Sequence, residues 1–141
     1  MHFPAAGIFH NYVFISIDKR YPGHARKIMS AVWGLGQLMF SKCVVIVDKD
    51  VNVQNEAEVA WIAGTHVDPS RDIQIVTGPV DDLDDAAVMP AFGGKMGIDA
   101  TRKWPAEGMT REWPKRLVTT EAAGRKAEAI WEKIKGRDVT R

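Results

Sequence analysis

Apolar positions along this chain follow two periods, and the change from one to the other separates strands from helices. Tyr12-Val13-Phe14-Ile15-Ser16-Ile17 is a run of aromatic and β-branched residues closed by the charged and turn-forming Asp18-Lys19-Arg20-Tyr21-Pro22-Gly23. That composition predicts a strand. Pro22 is tolerated in a first helical turn, where it has no N–H to waste. Ile28, Val32, Leu35 and Met39 then recur at helical spacing and predict a helix through Phe40. Cys43-Val44-Val45-Ile46-Val47 is continuously apolar but too short for a helix, the pattern of a strand covered on both faces in a parallel sheet. Asn55 with Glu58 three residues on resembles a capping box, with Val59, Ile62 and Ala63 as the inward face of the following helix. Ile73-Gln74-Ile75-Val76 supplies a third strand, ended by Thr77-Gly78-Pro79.

Strand, helix, strand, helix, strand in this order predicts an α/β fold: three layers around a mainly parallel βαβαβ sheet joined by right-handed crossovers. From Val80 to Thr101 the chain shows neither helical nor strand periodicity. The acidic stretch Asp81-Asp82-Leu83-Asp84-Asp85 leads into Gly93-Gly94-Lys95-Met96-Gly97, which reads as a long glycine-rich loop. Loops of that length in compact domains are usually functional or mobile. After Trp104-Pro105 and Trp113-Pro114, Glu121 to Lys135 predicts a terminal helical arm with Ala123, Ala127, Ile130, Trp131 and Ile134 on its apolar stripe. At 141 residues the expectation is one domain, with residues 1–101 as the α/β core and glycine-rich loop and 102–141 as the Trp-Pro linker and terminal helix. Trp104, Trp113 and Trp131 are either anchors in an interface with a second chain or packing for their own sheet.

The net charge of +1 gives nucleic-acid binding no support. Residues 1–100 hold 8 basic against 12 acidic side chains and residues 101–141 hold 11 against 6, so the tail is basic. No stretch approaches the roughly 18 apolar residues of a membrane span, and Met1-His2-Phe3-Pro4 lacks a signal-peptide pattern, so a cytoplasmic location is expected. The single cysteine, Cys43, sits in an apolar run and reads as a small buried hydrophobe.

The chemical motifs are incomplete. Gly93-Gly94-Lys95-Met96 has the glycine and lysine of a phosphate loop, but Met89 stands where its first glycine belongs and Met96 where its Ser or Thr belongs. Gly34 and Gly36 copy two glycines of a dinucleotide fingerprint from inside the expected helix, where close packing over the sheet explains them. The aspartates of 81–85 lack the terminal Glu of an EF-hand, and His2, His10, His24 and His66 lack zinc spacing, so no metal site is expected. Ser16, Ser30, Ser41 and Ser70 lie in no nucleophile elbow. Asp48 and Asp50 follow a strand at its carboxyl end, where open α/β sheets bind ligands; an acid–base pair is one reading, and the turn and helix-approach chemistry of Asp-Lys-Asp is the favoured one. No complete catalytic constellation emerges.

Several ordered blocks nevertheless resemble one family: Asn11 to Ile17, Tyr21-Pro22-Gly23-His24-Ala25, Ala31 to Gln37, Val47 to Val53, and Gly93 through Asp99-Ala100-Thr101-Arg102-Lys103-Trp104-Pro105. Between about residues 7 and 135 the chain is similar to the carboxyl-terminal domain of the UbiD family, the 3-polyprenyl-4-hydroxybenzoate carboxy-lyases and related decarboxylases. The resemblance implies reversible, non-oxidative decarboxylation of an aromatic or unsaturated acid, of the ubiquinone- or menaquinone-biosynthetic type, with prenylated FMN as electron sink. In that family a separate barrel domain binds the flavin and its divalent metal and carries the catalytic residues. None of its motifs occurs here, so no catalytic residue is assigned, and neither cofactor nor activity is expected of this chain alone. The resemblance implies a homo-oligomer and partnership with the flavin-binding domain, no nucleic acid and no membrane span. It makes Gly93, Gly94, Lys95 and Asp99 candidates near the cofactor, and Trp104, Trp113 and Trp131 interface candidates. Some relatives place a lysine of this domain near the cofactor phosphate, at a position that falls on Gly36 here, a departure that speaks against a phosphate role for the first helix. The alternative is a stand-alone nucleotide- or small-molecule-binding protein using Asp48, Asp50 and the glycine loop.

Overall fold

Hydrogen bonding joins four strands in the order β1 (Tyr12–Ile17), β2 (Cys43–Asp48), β4 (Phe92–Asp99), β3 (Ile73–Pro79). The computed structural model describes residues 1–7, 11–116 and 118–135. The first two strands form where their β-branched content placed them and run parallel in register, with Tyr12 opposite Cys43 and Ile17 opposite Asp48. Two expectations are corrected. The glycine-rich segment is no loop: Phe92–Asp99 is a strand, parallel to β2 and antiparallel to β3. Ile73–Pro79 is therefore not the third parallel strand but an antiparallel edge, so the parallel trio is β1, β2 and β4.

Glycine is a poor strand former, which hid β4, yet at Gly97 a side chain has no room. A Cβ on Gly97 would lie 2.5 Å from Met29 Sδ and 3.1 Å from the Trp33 ring, whereas one on Gly93 would make ordinary contacts at 3.4 Å with Ala87 and Val80. Helix α1 (His24–Trp33) lies so close over β4 that a side chain at Gly97 is excluded.

The sheet is covered on both faces, giving the expected three layers. Val13, Ile17, Val44 and Ile46 pack on Ala25, Met29 and Val32 of α1. On the other face Cys43, Val45 and Val47 pack on Val51 and Val53 and on Val59 and Ile62 of α2 (Glu56–His66). Fully burying a side chain of this size contributes about 1.5–3 kcal/mol, so neither face could stay bare. Helix α2 starts as the capping pattern required, with Asn55 Oδ1 accepting from the Glu58 N–H at 3.2 Å. The short α3 (Pro69–Asp72) is capped by Asp68 and leads directly into β3.

The first helix does not continue to Phe40 as its apolar spacing suggested. It stops at Trp33, Gly34 caps it, and a 3-10 turn follows over Gly36–Phe40. Gly36 has φ +43 and open space where a Cβ would project, so these glycines end the helix and do not serve close packing. Leu35, counted on the apolar stripe, is exposed.

Met1–Arg111 forms one compact unit, and the chain from Glu112 onward a second. Within the second, α4 (Glu121–Lys135) starts at Thr120, whose Oγ1 accepts from the Ala123 N–H at 3.3 Å. Ile130, Trp131 and Ile134 stand exposed along it.

Gly97→Ala is expected to destabilise the protein by about 1–3 kcal/mol, because buried Met29 must leave its position. Gly94→Ala, whose Cβ meets nothing within 4 Å, serves as the neutral control. Urea unfolding of the two variants measures the difference.

Candidate functional site

The carboxyl edge of the parallel strands is where an α/β sheet of this kind presents ligand-binding groups. Here it carries a network of charges that bond one another. Lys103 has a side chain only 2% exposed, and its ammonium donates to the Asp99 and Thr101 carbonyls at 2.7 Å each. It also lies 3.1 Å from Asp99 Oδ1 and 3.7 Å from Asp72 Oδ1. Asp99 in turn accepts from the Thr101 N–H and hydroxyl, at 3.1 and 2.6 Å. Lys19 reaches in from the end of β1 and donates to Thr101 Oγ1, the Arg102 carbonyl and Glu107 Oε2, at 3.1, 3.0 and 2.5 Å, with its ammonium 5.4 Å from the Trp104 ring centroid.

The carboxylates are tuned to this company. Burial pushes Asp72 up, but the Arg71 hydrogen bonds, the Asp68 N–H and the Lys103 charge together hold it below the ordinary range. Burial likewise raises Glu107, and the Lys19 bond with the Trp104 and Gly23 N–H groups overrides it. Both are anions whose charge is spent on neighbours.

The adjoining groove, about 360 Å³, is lined by Asp48, Asp50, Lys49, Arg102 and Trp104 among others. Asp48 Oδ2 accepts from the Arg102 N–H at 2.8 Å, and the Arg102 guanidinium donates to Asp50 Oδ2. The two aspartates do come together, as the i, i+2 spacing allowed, but around an arginine that ties them to the segment after β4. That arrangement makes both carboxylates ion-pair partners of one guanidinium.

The candidates on β4 are placed differently from one another. Lys95 is 3% exposed, and its ammonium donates to the Met39 carbonyl and to the Pro79 carbonyl at 2.8 Å, with the Trp33 ring centroid 5.8 Å away. Desolvation lowers it to about 8. Gly93 and Gly94 pair with Gly78 and Thr77 of β3. Asp99 lies at the far end of the strand, locked to Thr101 and Lys103. The four are not gathered at one point: Gly93, Gly94 and Lys95 lie beside β3, and Asp99 lies at the other end of β4.

Cys43 is buried as expected, and burial pushes its thiol up to about 11. Among the described residues no group of three or more His, Cys, Asp or Glu side chains could hold a metal ion, and no helix is long and apolar enough to cross a membrane. His10 lies outside the described residues. Trp104 is half-buried beside Lys19, while Trp113 and Trp131 belong to the second unit, Trp131 exposed on α4.

A family model described as the 3-octaprenyl-4-hydroxybenzoate carboxy-lyase C-terminal domain matches residues 1–100. The chain belongs to the UbiD family. An uncharacterized protein of Aquifex aeolicus (strain VF5) is 48% identical over 133 residues, 94% of this chain and 27% of its own length. Among solved structures, the vanillic acid decarboxylase of Sedimentibacter hydroxybenzoicus in its open form is similar with a TM-score of 0.71 at 31% identity, over 89% of this chain and 27% of that one. The UbiD-class enzyme HmfF of Pelotomaculum thermopropionicum, in complex with FMN, gives a TM-score of 0.61 at 30% identity, over 80% of this chain and 25% of that one. The chain thus spans about a quarter of the relatives it matches.

Spacing alone missed Lys19, Asp72, Lys103 and Glu107. The blocks that carried the family resemblance did contain Lys103, and the alternation Asp99, Thr101, Lys103 beyond β4 is the signal that could have exposed it. Lys103→Met leaves the buried Asp99 carboxylate without its cation, while Asp72 keeps Arg71, with an expected loss of about 3 kcal/mol in chemical denaturation.

Lys95 gives a pH signature. Its folded value of about 8 lies below the ordinary 10.5, so the unfolded chain holds the proton more tightly. Its cost to stability is therefore full below pH 8 and is relieved as pH rises from about 8 toward 10.5. Unfolding free energies measured across that window should rise in the wild type relative to Lys95→Met.

Proposed function

We propose that this chain is the carboxyl-terminal oligomerisation and lid part of a cytoplasmic UbiD-class decarboxylase acting non-oxidatively on an aromatic or unsaturated carboxylic acid, with 3-polyprenyl-4-hydroxybenzoate as the type of substrate. The observation that carries this reading is the family match to a C-terminal domain in a chain that spans about a quarter of its relatives. The charges at its sheet edge support it, since they are bonded to one another and hold the fold. In this reading prenylated FMN, with its divalent metal, is held by the remainder of the enzyme, where it supplies the electron sink for loss of CO₂. One relative, HmfF, is named in complex with FMN, and an evolved dimeric form of it in complex with prenylated FMN.

The lid role moves by one segment. Gly93, Gly94 and Lys95 are paired with β3 as part of the sheet, so in this reading the lid role passes to the connection 80–91 before β4. The interface role falls to the exposed Ile130, Trp131 and Ile134 of α4, with Trp113 beside it in sequence and Trp104 as an anchor on the core unit. The rival reading, a stand-alone nucleotide-binding protein, needs Asp48 and Asp50 free, and Arg102 engages both.

Light scattering of the purified chain should find dimers or larger species, and its absorbance spectrum should lack a flavin band. Trp131→Glu should shift the distribution toward monomer with the circular dichroism spectrum retained. A strictly monomeric wild type removes the oligomerisation role, and stoichiometric FMN binding or CO₂ release by the chain alone overturns the accessory assignment.

A further inference from the structure

The two side edges of the sheet are finished differently. At the β1 edge the start of the chain lies against the strand, where His2 and Phe14 exchange N–H to carbonyl bonds at 2.8 and 2.9 Å. At the other edge, among the described residues, β3 pairs with β4 alone. The phase of that ladder fixes which β3 groups are used. Val80 N–H donates to the Ala91 carbonyl at 3.2 Å, in the register of the strand pairs, and hydrogen-bonded pairs alternate along an antiparallel ladder. Gly78, Val76 and Gln74 therefore bond β4, while Ile73, Ile75 and Thr77 turn their backbone groups outward. Met96, opposite Ile75, agrees with this phase, since its N–H points the other way, to the Lys42 carbonyl at 2.8 Å. Among the described residues no backbone hydrogen bond reaches Ile75 or Thr77 from outside the sheet.

Open strand edges are ordinarily guarded by charge, by a bulge, by an internal proline or by brevity. Strand β3 has none of these: it is seven residues long, its register is unbroken, no side chain in it is charged, and its proline stands last. The open stretch is framed at both ends. Before Ile73 the chain is helical in α3, and Pro79 has no N–H, while its carbonyl accepts from Lys95 Nζ at 2.8 Å. What remains between them is symmetric about Ile75. That residue is 66% exposed, on the face it shares with Met96 and Cys43.

We infer that β3 is a docking edge for a second copy of this chain, pairing antiparallel with its own counterpart about a twofold axis at Ile75. In that register the two Ile75 residues bond each other, and Thr77 pairs with Ile73 of the second copy on either side, so the outward groups of the stretch are matched by about six hydrogen bonds. Moving the axis to Val76 sets Ile73 against Pro79, which brings no donor. A second copy also brings a strand that β4 already holds extended, whereas a flexible foreign segment must first be ordered. With no charge on β3, the two copies meet without the like-charge repulsion that keeps many identical edges apart. The axis runs perpendicular to the sheet, so each side chain stays on its own face. The two Ile75 side chains then lie side by side, and the apolar row Cys43–Met96–Ile75 runs on into the second copy. This inference rests on β3 and not on the decarboxylase reading or on the contacts of α4.

The test uses the full 141-residue chain carrying Trp131→Glu, which takes association through α4 out of the measurement. Its mass by sedimentation equilibrium should rise from monomer toward dimer with concentration. Adding Ile75→Lys, which sets like charges at the axis, should weaken that association at least about tenfold with the circular dichroism spectrum retained. Mild oxidation gives a check that does not depend on the lysine variant. Ile75→Cys brings two Cα atoms to about 5.5 Å, within disulfide reach, and should yield a covalent dimer. Thr77→Cys leaves them about 14 Å apart, and the chain without an added cysteine has only the buried Cys43, so both should stay unlinked. Equal association of the wild type and Trp131→Glu, lost on adding Ile75→Lys, supports pairing through β3 and removes the role of α4. A Trp131→Glu chain that is monomeric at every concentration overturns pairing through β3 and leaves the role of α4 standing. Association unchanged by Ile75→Lys, or Thr77→Cys linking as readily as Ile75→Cys, overturns it as well.

Discussion

The insertion of β4 between β2 and β3 is the constraint on which the rest of this structure depends. A central strand must be hydrogen-bonded on both sides and covered on both faces, yet three of the eight residues from Phe92 to Asp99 are glycines. Cover therefore comes from outside the strand. Helix α1 comes down until Met29 and Trp33 meet the Gly97 backbone, and Lys95 spans outward to carbonyls of the 3-10 turn and of β3. Beyond its carboxyl end, Asp99, Thr101 and Lys103 anchor the chain with bonds that reach back to α3 and, through Lys19, to β1.

This dependence explains what the sequence made legible. The segments Tyr12–Ile17 and Cys43–Val47 announce themselves because their burial is provided by their own side chains. The cap of α2 does so because Asn55 and Glu58 act locally. Strand β4 is hidden for the opposite reason: its stability comes from groups far away in sequence, and its own composition is that of a loop. The orientation of β3 followed from that omission, since without β4 the only neighbour available to it was β2. The end of α1 misled in a different way, because the apolar positions Leu35 and Met39 continue the helical period past glycines that break the backbone.

The candidate site shows the same division. Asp48, Asp50, Lys95 and Asp99 are chemically capable groups in suggestive places, and pattern alone could not tell a free carboxylate from one bound to Arg102 or Lys103. For Asp48, Asp50 and Lys95, partners more than 50 residues away take part and only the folded chain brings them together, whereas Asp99 is held by Thr101 and Lys103 close by in sequence. Ordered blocks of family resemblance carried more information than any single motif, because they encode those distant pairings jointly.

The strand order also bears on how such a chain is made. During synthesis β1 and β2 emerge first, and the side of β2 that β4 will occupy stays unpaired until residue 99 has left the ribosome, with β3 waiting alone in the meantime. An open apolar strand edge is a template for pairing with other chains. Nascent or prematurely terminated products ending before β4 thus carry a built-in tendency to aggregate, and the last strand to appear is the one that quenches it.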